Sequence, residues 1–195
     1  MQSNICKIEK GSQKLDEIFR ESEKVARYNE LDHKQSLQLR LLCEELVNML
    51  PSIISHFSGE FRIENRGNDY GLRVNVLVDN MDIETRDRLI KVSKANRNAS
   101  VVGITGKIRA VFDYMAMGGE DPMMFPASRY GLSSNMDFSQ IWSLRRYQDG
   151  VCEGDEQGSA EWDEFERSII VKVADDVLVG VKGKNVSIII KKKFA

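Results

Sequence analysis

The stretch from Phe61 to Val78 constrains the fold of this chain more than any other part of its sequence. Two runs that largely alternate apolar and polar residues, Phe61–Asn65 and Leu72–Val78, flank Arg66–Asp69, whose composition is typical of a hairpin turn. In the second run the apolar residues take every second position, so one face of that strand is apolar. Such a face has to be covered, and the chain therefore needs helices that pack against it.

Two segments upstream of this hairpin have the pattern of such helices. Leu15–Tyr28 places its apolar residues on one helical stripe, and Gln35–Leu50 has the most regular helical pattern in the chain. Pro51 follows, and because a proline has no N–H to donate to the preceding turn, we expect it to end or kink the second helix. Ile5–Glu9 precedes both helices and has the alternation of a short strand.

The rest of the chain adds helices and a second hairpin. The predicted elements are helices at Asp82–Ala95, Lys107–Met117 and Asp137–Tyr147, a helix that runs to about Ala174, and strands at Val177–Val181 and Asn185–Lys191. This order favours an α+β fold: a two-layer sandwich in which a mixed, mostly antiparallel sheet carries helices on one face.

Length and charge exclude several classes of protein. The 195 residues allow one sizeable domain, 1–195, and we interpret the irregular, partly acidic segment 118–166 as an insertion into it. The formal net charge of −2 lacks the basic excess of a general nucleic-acid binder, so we expect no nucleic-acid partner. No apolar run approaches the roughly 18–20 residues that span a bilayer, and the N-terminus lacks the apolar core of a signal peptide. We therefore expect a cytoplasmic protein without a membrane partner.

The cysteines and histidines offer little chemistry. Cys6, Cys43 and Cys152 are far apart and include no C-x-x-C pair, which argues against a disulfide framework or a zinc ribbon. His33 and His56 are the only histidines, too few for a His-rich metal site. A cysteine–histidine nucleophile pair has no local signature here, so we interpret Cys43, which lies in an apolar helical stretch, as packing.

One pair of polar residues in the second predicted helix points to chemistry. Glu44 and Asn48 stand four residues apart, so both project from one face, away from the apolar stripe. The pattern resembles the E-x-x-x-N box of the histidine-kinase-like ATPases, the GHKL or Bergerat fold. On its own the spacing is common by chance, and a solvated Glu–Asn pair is the plainer interpretation.

The order of the surrounding elements adds to this resemblance. A strand, two helices, a hairpin and a closing hairpin are similar to the layout of the small anti-sigma-factor serine kinases within that fold, over residues 1 to about 117 and about 168 to 195. The overall pattern indicates a partly degenerate bacterial branch of the fold. The resemblance implies ATP and Mg²⁺ as cofactors, with Glu44 as the catalytic base and Asn48 as the metal ligand. An amide oxygen suits Mg²⁺, which prefers oxygen ligands and is held in large part by phosphates.

The next motif of the family is altered in this chain. A D-x-G-x-G motif would correspond to 79–83, where Asp79 is present but Met81 and Ile83 replace the two glycines. Side chains at these positions resist the backbone shapes and the close ligand approach that glycine permits. The resemblance implies that Asp79 contacts the adenine. Asp79 is thus either a cofactor-binding residue or simply the residue that ends a strand before Asp82, which we interpret as a helix N-cap.

A glycine-containing turn before the helix at Lys107–Met117 matches the family in part. Gly103 and Gly106 stand where the family has a longer glycine run, and Lys107 adds a positive charge. The resemblance implies that these three residues bind phosphate, because free N–H groups at a helix start attract anions. A tight strand-to-helix turn explains the two glycines equally well.

Two functions remain after these observations. One is a regulatory protein that binds ATP–Mg²⁺ and acts on a protein partner; if it is an enzyme, the resemblance implies an ATP-dependent serine kinase or ATPase. The other is a non-catalytic interaction module that has lost the nucleotide and binds its partner through 118–166. The intact Glu44/Asn48 pair favours the first and the replaced glycines favour the second, while the oligomeric state stays open, a homodimer included.

Overall fold

The computed structural model describes residues 1–11, 15–54, 56–78, 106, 108, 142–145, 148, 168–182 and 185–195. Its elements, in chain order, are strand β1 (Cys6–Glu9), helices α1 (Leu15–Tyr28) and α2 (His33–Ile53), strands β2 (Phe57–Arg66), β3 (Asp69–Val78) and β4 (Trp142–Ser143), helix α3 (Ile169–Val173), and strands β5 (Asp176–Lys182) and β6 (Asn185–Lys193). The predictions for 82–95 and for most of the insertion 118–166 lie outside the described residues.

The six described strands form one sheet in the order β1-β2-β3-β6-β5-β4. Each of these neighbouring pairs is antiparallel. The β2–β3 pair runs from Phe57 opposite Val78 to Arg66 opposite Asp69, and Gly67, at a φ of 58°, closes its turn. The predicted α+β class and both predicted hairpins are therefore confirmed, and the strands extend further than the sequence pattern indicated.

Alternation along the strands divides the sheet into an inner and an outer face. In β3 the even-numbered residues from Tyr70 to Val78 are buried and the odd-numbered ones are half-exposed or exposed. The same alternation holds in β6 from Val186 to Ile190. Inner-face side chains belong to one apolar cluster with buried residues of α1, α2 and α3, among them Ile18, Leu46 and Ile170. The described chain thus has helices packed on one face of an antiparallel sheet.

Helix α2 is longer than its apolar pattern indicated. The Asp32 side chain accepts a hydrogen bond of 2.7 Å from the Gln35 N–H, and the Gln35 side chain accepts one of 3.1 Å from the Asp32 N–H, which is a capping box. Of the two outcomes expected at Pro51, an end or a kink, the first is excluded, since the helix continues to Ile53. A proline this close to the C-terminus removes a single backbone hydrogen bond, and the Ile54 N–H still donates to the Leu50 carbonyl at 2.8 Å.

Part of the helix predicted at Asp137–Tyr147 is a strand in the structure. Trp142 and Ser143 form strand β4, antiparallel to β5, and helical backbone begins at Leu144. The Asp176 carboxylate accepts hydrogen bonds from the Ser143 hydroxyl at 2.9 Å and from the Arg145 N–H at 3.1 Å. Pairing with the edge of β5 overrides the local helical pattern, as tertiary context commonly does.

Helix α3 begins later in the chain than the helix predicted to run to about Ala174. Ser168 is its non-helical N-cap, so the helix begins at Ile169, and it ends at Val173. Because Ile170 is buried in the main cluster, this short helix still contributes to the helical layer.

Glu21 ties the N-terminal segment to the helical layer. Its carboxylate accepts hydrogen bonds from the Asn4 backbone N–H at 3.1 Å and the Asn4 amide at 3.2 Å, and it pairs with Lys24 at 2.6 Å. Burial acts to raise the pKa of Glu21, which is 6% exposed, but the bonds from Lys24 and Asn4 outweigh it and leave the pKa below the usual 4.5. The charged form is therefore the one that the fold favours.

The close approach of β2 to β3 at Gly59 predicts a strong requirement for glycine. A Cβ at Gly59 would lie 2.2 Å from the Asn75 carbonyl oxygen and 2.7 Å from the Val76 Cα, both of which are backbone atoms. We expect Gly59→Ala to lower the free energy of unfolding by about 2–3 kcal/mol, measured by urea denaturation. Gly71→Ala is the matched control, because its Cβ would meet nothing closer than 3.9 Å. Equal stability of the two variants would contradict this packing.

The Glu21 contacts predict a pH-dependent contribution to stability. Because the folded-state pKa is lowered, the contribution is present above the unfolded pKa of about 4.5 and is lost as the pH falls through the folded value. We expect Glu21→Gln to destabilise the protein by about 1–2 kcal/mol at neutral pH and by progressively less below pH 4.5, measured by urea unfolding across pH. Glu23→Gln, at a side chain 54% exposed, serves as the control and should change stability by less than about 0.5 kcal/mol. A pH-independent loss in Glu21→Gln would contradict the assignment.

Candidate functional site on the second helix

Helix α2 presents Glu44 and Asn48 on the side that the core leaves accessible. Leu42, Cys43 and Leu46 are fully buried in the apolar cluster, whereas Glu44 is half-buried and Asn48 is exposed. The orientation expected from the helical spacing is thus confirmed. Four residues of α-helix correspond to a rise of about 6 Å, so the carboxylate and the amide lie one turn apart along the same face.

Among the described residues, no side chain or backbone group competes with a ligand for Glu44 or Asn48. Neither Glu44 nor Asn48 makes a side-chain hydrogen bond or an ion pair to another described residue. A carboxylate and an amide offer the hard oxygen donors that Mg²⁺ takes from proteins, one or two at a time beside phosphate oxygens. The donor chemistry therefore fits a phosphate-bound Mg²⁺. No group of three or more His, Cys, Asp or Glu in the described residues forms a metal site of its own.

Arg40 extends this face by one further turn toward the start of α2, and the sequence analysis did not single it out. Its guanidinium lies 4.5 Å from the centroid of the Phe19 ring and 3.6 Å from the Glu23 carboxylate, both on α1. The arginine therefore links the two helices beside the Glu44/Asn48 pair. The signal that would have found it is the spacing, since Arg40 stands four residues before Glu44.

The structure brings together only part of the predicted site. Asp79, Gly103 and Lys107 lie outside the described residues, so their predicted roles stay predictions. Gly106 is described: it is buried and lies in helical backbone, so the helix there begins no later than Gly106, one residue before its predicted start. Of the predicted ligands and catalytic groups, the pair on α2 is the part whose geometry the structure gives.

The buried cysteines are unsuited to nucleophilic chemistry. Cys6 and Cys43 are fully buried free thiols, while His33 and His56 are exposed. Burial raises the pKa of Cys6 to about 11 and raises that of Cys43 as well. Because the thiolate is the reactive form, neither thiol is activated near neutral pH. The interpretation of Cys43 as packing is confirmed.

Comparisons of the chain with protein-family models, with curated proteins and with solved structures gave no match. None of the helices among the described residues has the length and apolar character needed to cross a membrane.

The burial of the two thiols predicts their reactivity. In the native protein at about pH 8, Cys6 and Cys43 should resist alkylation by iodoacetamide, because both are inaccessible and protonated. After denaturation in urea both should react, which peptide mass spectrometry reads for each cysteine separately. Rapid native alkylation of Cys43 would contradict its place in the core.

Proposed function

We propose that the protein is a regulatory domain that binds ATP–Mg²⁺ through the accessible face of α2 and acts on a protein partner, in the manner of an anti-sigma-factor serine kinase. The observation that carries this proposal is the Glu44/Asn48 pair, which has no side-chain hydrogen bond or ion pair within the described chain, on a helix whose other faces fill the core. The order of strand, two helices and hairpin, together with a closing hairpin, supports it.

The proposed roles follow from the chemistry of the two side chains. Asn48 presents an amide oxygen as a protein ligand for Mg²⁺. Glu44 accepts the proton of the attacking hydroxyl or water, a task for a carboxylate held within hydrogen-bond reach of that group. When bound, ATP–Mg²⁺ supplies the transferable phosphoryl group and neutralises much of its charge, so the protein's part is positioning and proton acceptance.

Half-burial of Glu44 suits the proposed role. The flanking core residues Cys43 and Leu46 are fully buried and fix the helix backbone from which Glu44 projects. Asn48 is more exposed and is the residue that an incoming metal–phosphate group meets first. The proposed metal ligand, Asn48, is therefore the more exposed of the two residues, and the proposed proton acceptor, Glu44, is the more buried.

The alternative is a non-catalytic interaction module on the same framework. It is favoured by Met81 and Ile83, which replace the glycines of the adenine-binding motif in the family that the chain resembles. In that case Glu44 and Asn48 are solvated surface residues, and the protein acts through its partner contacts alone.

Calorimetric titration with ATP, with and without Mg²⁺, tests the proposal. We expect Mg²⁺-dependent binding that Asn48→Ala abolishes, while the stability without ligand changes by less than about 0.5 kcal/mol because the side chain is exposed. Mg²⁺-independent binding, or unchanged binding in Asn48→Ala, would remove Asn48 from the site. No binding at millimolar ATP would overturn the nucleotide proposal and leave the interaction module as the remaining candidate.

Glu44→Gln separates catalysis from binding. The variant keeps the shape of the side chain but loses the proton acceptor, so we expect ATP binding to persist and ATP turnover to fall by about 10²-fold or more. Glu45→Gln is the matched control, since Glu45 is also half-buried but points about 100° away around the helix. Equal turnover of the two variants would refute the role of Glu44 as the base.

A further inference from the structure

A broad groove lies on the outer face of the sheet, at the end where the β2–β3 turn and the C-terminal part of β6 meet. Its volume is about 1000 Å³. Charged side chains dominate its lining, and we call it the cationic groove; its cations are Arg66, Arg73, Arg145, Lys191, Lys192 and Lys193.

A glycine forms the middle of the groove floor. Strand register places Glu64, Gly71, Lys191 and Asp176 in one row across β2, β3, β6 and β5. Gly71 leaves the centre of that row without a side chain, and a Cβ there would meet nothing closer than Ile189 Cγ2 at 3.9 Å. The depression between the charged walls therefore follows directly from the absence of a side chain at this position.

Most of the carboxylates in the groove already have partners. Glu64 lies 2.8 Å from the Arg62 guanidinium and 3.6 Å from that of Arg73. Asp175 pairs with Lys192 at 3.3 Å and also accepts a bond from a backbone N–H. The Asp176 carboxylate accepts three hydrogen bonds, from one side chain and two backbone N–H groups. These negative charges are largely satisfied within the sheet.

The cations are not matched in the same way. Arg66, Arg145, Lys191 and Lys193 are exposed, and none forms a side-chain ion pair with another described residue. Asp69 is the one carboxylate of the lining that is likewise unpaired among the described residues. Among the described residues, the groove thus presents an excess of accessible positive charge, on a protein whose net charge is −2.

We infer that the cationic groove docks an acidic segment of a protein partner. The inference rests on the partner-binding part of the proposed function but not on nucleotide binding, since α2 packs against the opposite face of the sheet. A protein segment is favoured over a nucleic acid because the chain as a whole has a net charge of −2 and lacks the basic excess of a general nucleic-acid binder. Charge complementarity of this kind contributes specificity and speed of association.

Fluorescence anisotropy with a labelled octaglutamate peptide, without nucleotide, tests the inference. We expect binding at low ionic strength that weakens strongly at about 0.3 M NaCl, because exposed charge pairs are screened. The double variant Lys191→Glu/Lys193→Glu should lose affinity by about tenfold or more, since two attractions become repulsions. The double variant Lys10→Glu/Lys34→Glu changes the net charge equally at exposed sites outside the groove and should lose much less.

Gly71→Leu tests the groove without changing its charge. The added side chain fills the floor, so affinity for octaglutamate should fall several-fold while the melting temperature stays close to that of the wild type. Should this variant fail to fold, the lysine pairs decide the question by themselves.

Three results would overturn the inference: no octaglutamate binding at low salt, equal losses in the two lysine double variants, or tighter binding of duplex DNA that is lost with the groove lysines. Calorimetry with ATP on the same preparation keeps the two proposals apart. ATP binding without peptide binding would overturn only the groove inference. Peptide binding without ATP binding would overturn only the nucleotide proposal.

Discussion

The packing of α2 against the inner face of the antiparallel sheet is the interaction on which the rest of the structure depends. Leu39, Leu42, Leu46 and Leu50 are fully buried, and each such side chain contributes about 1.5–3 kcal/mol relative to exposure. They share one cluster with the inner-face residues of β3 and β6. This burial fixes the rotation of α2 about its own axis, and with it the direction in which every polar residue of the helix points.

Two surfaces follow from that arrangement, on opposite sides of the molecule. The helical side presents Glu44 and Asn48, and the proposed nucleotide site uses this face. The outer side of the sheet carries the cationic groove, whose floor includes Gly71 and most of whose carboxylates already have partners. The proposed nucleotide site and the proposed docking groove therefore lie on opposite faces of the sheet.

Sequence patterns predicted the secondary structure of segments whose apolar residues follow a clear helical or strand period. They failed for segments whose secondary structure depends on pairing with a distant strand. The bounds of α1 and the existence of both hairpins followed from periodicity and turn residues. Strand β4, at Trp142, could not be predicted in this way, because it forms by pairing with β5, which lies far away in the sequence. For the site, the direction of Glu44 and Asn48 was predictable from spacing, whereas the groove was not, since its residues come from four strands whose register no local pattern encodes.

Mn²⁺–ATP added to isotope-labelled protein is the most direct test of the nucleotide site, because the paramagnetic ion broadens the NMR signals of the nuclei nearest to it. We expect the strongest broadening for the backbone amides of α2 around Asn48 and for the Asn48 side-chain amide. Broadening at Gly71 and Lys193, across the sheet, should be much weaker. Strongest broadening at the outer face, or none anywhere with Mn²⁺–ATP in excess, would contradict the placement of the nucleotide on α2.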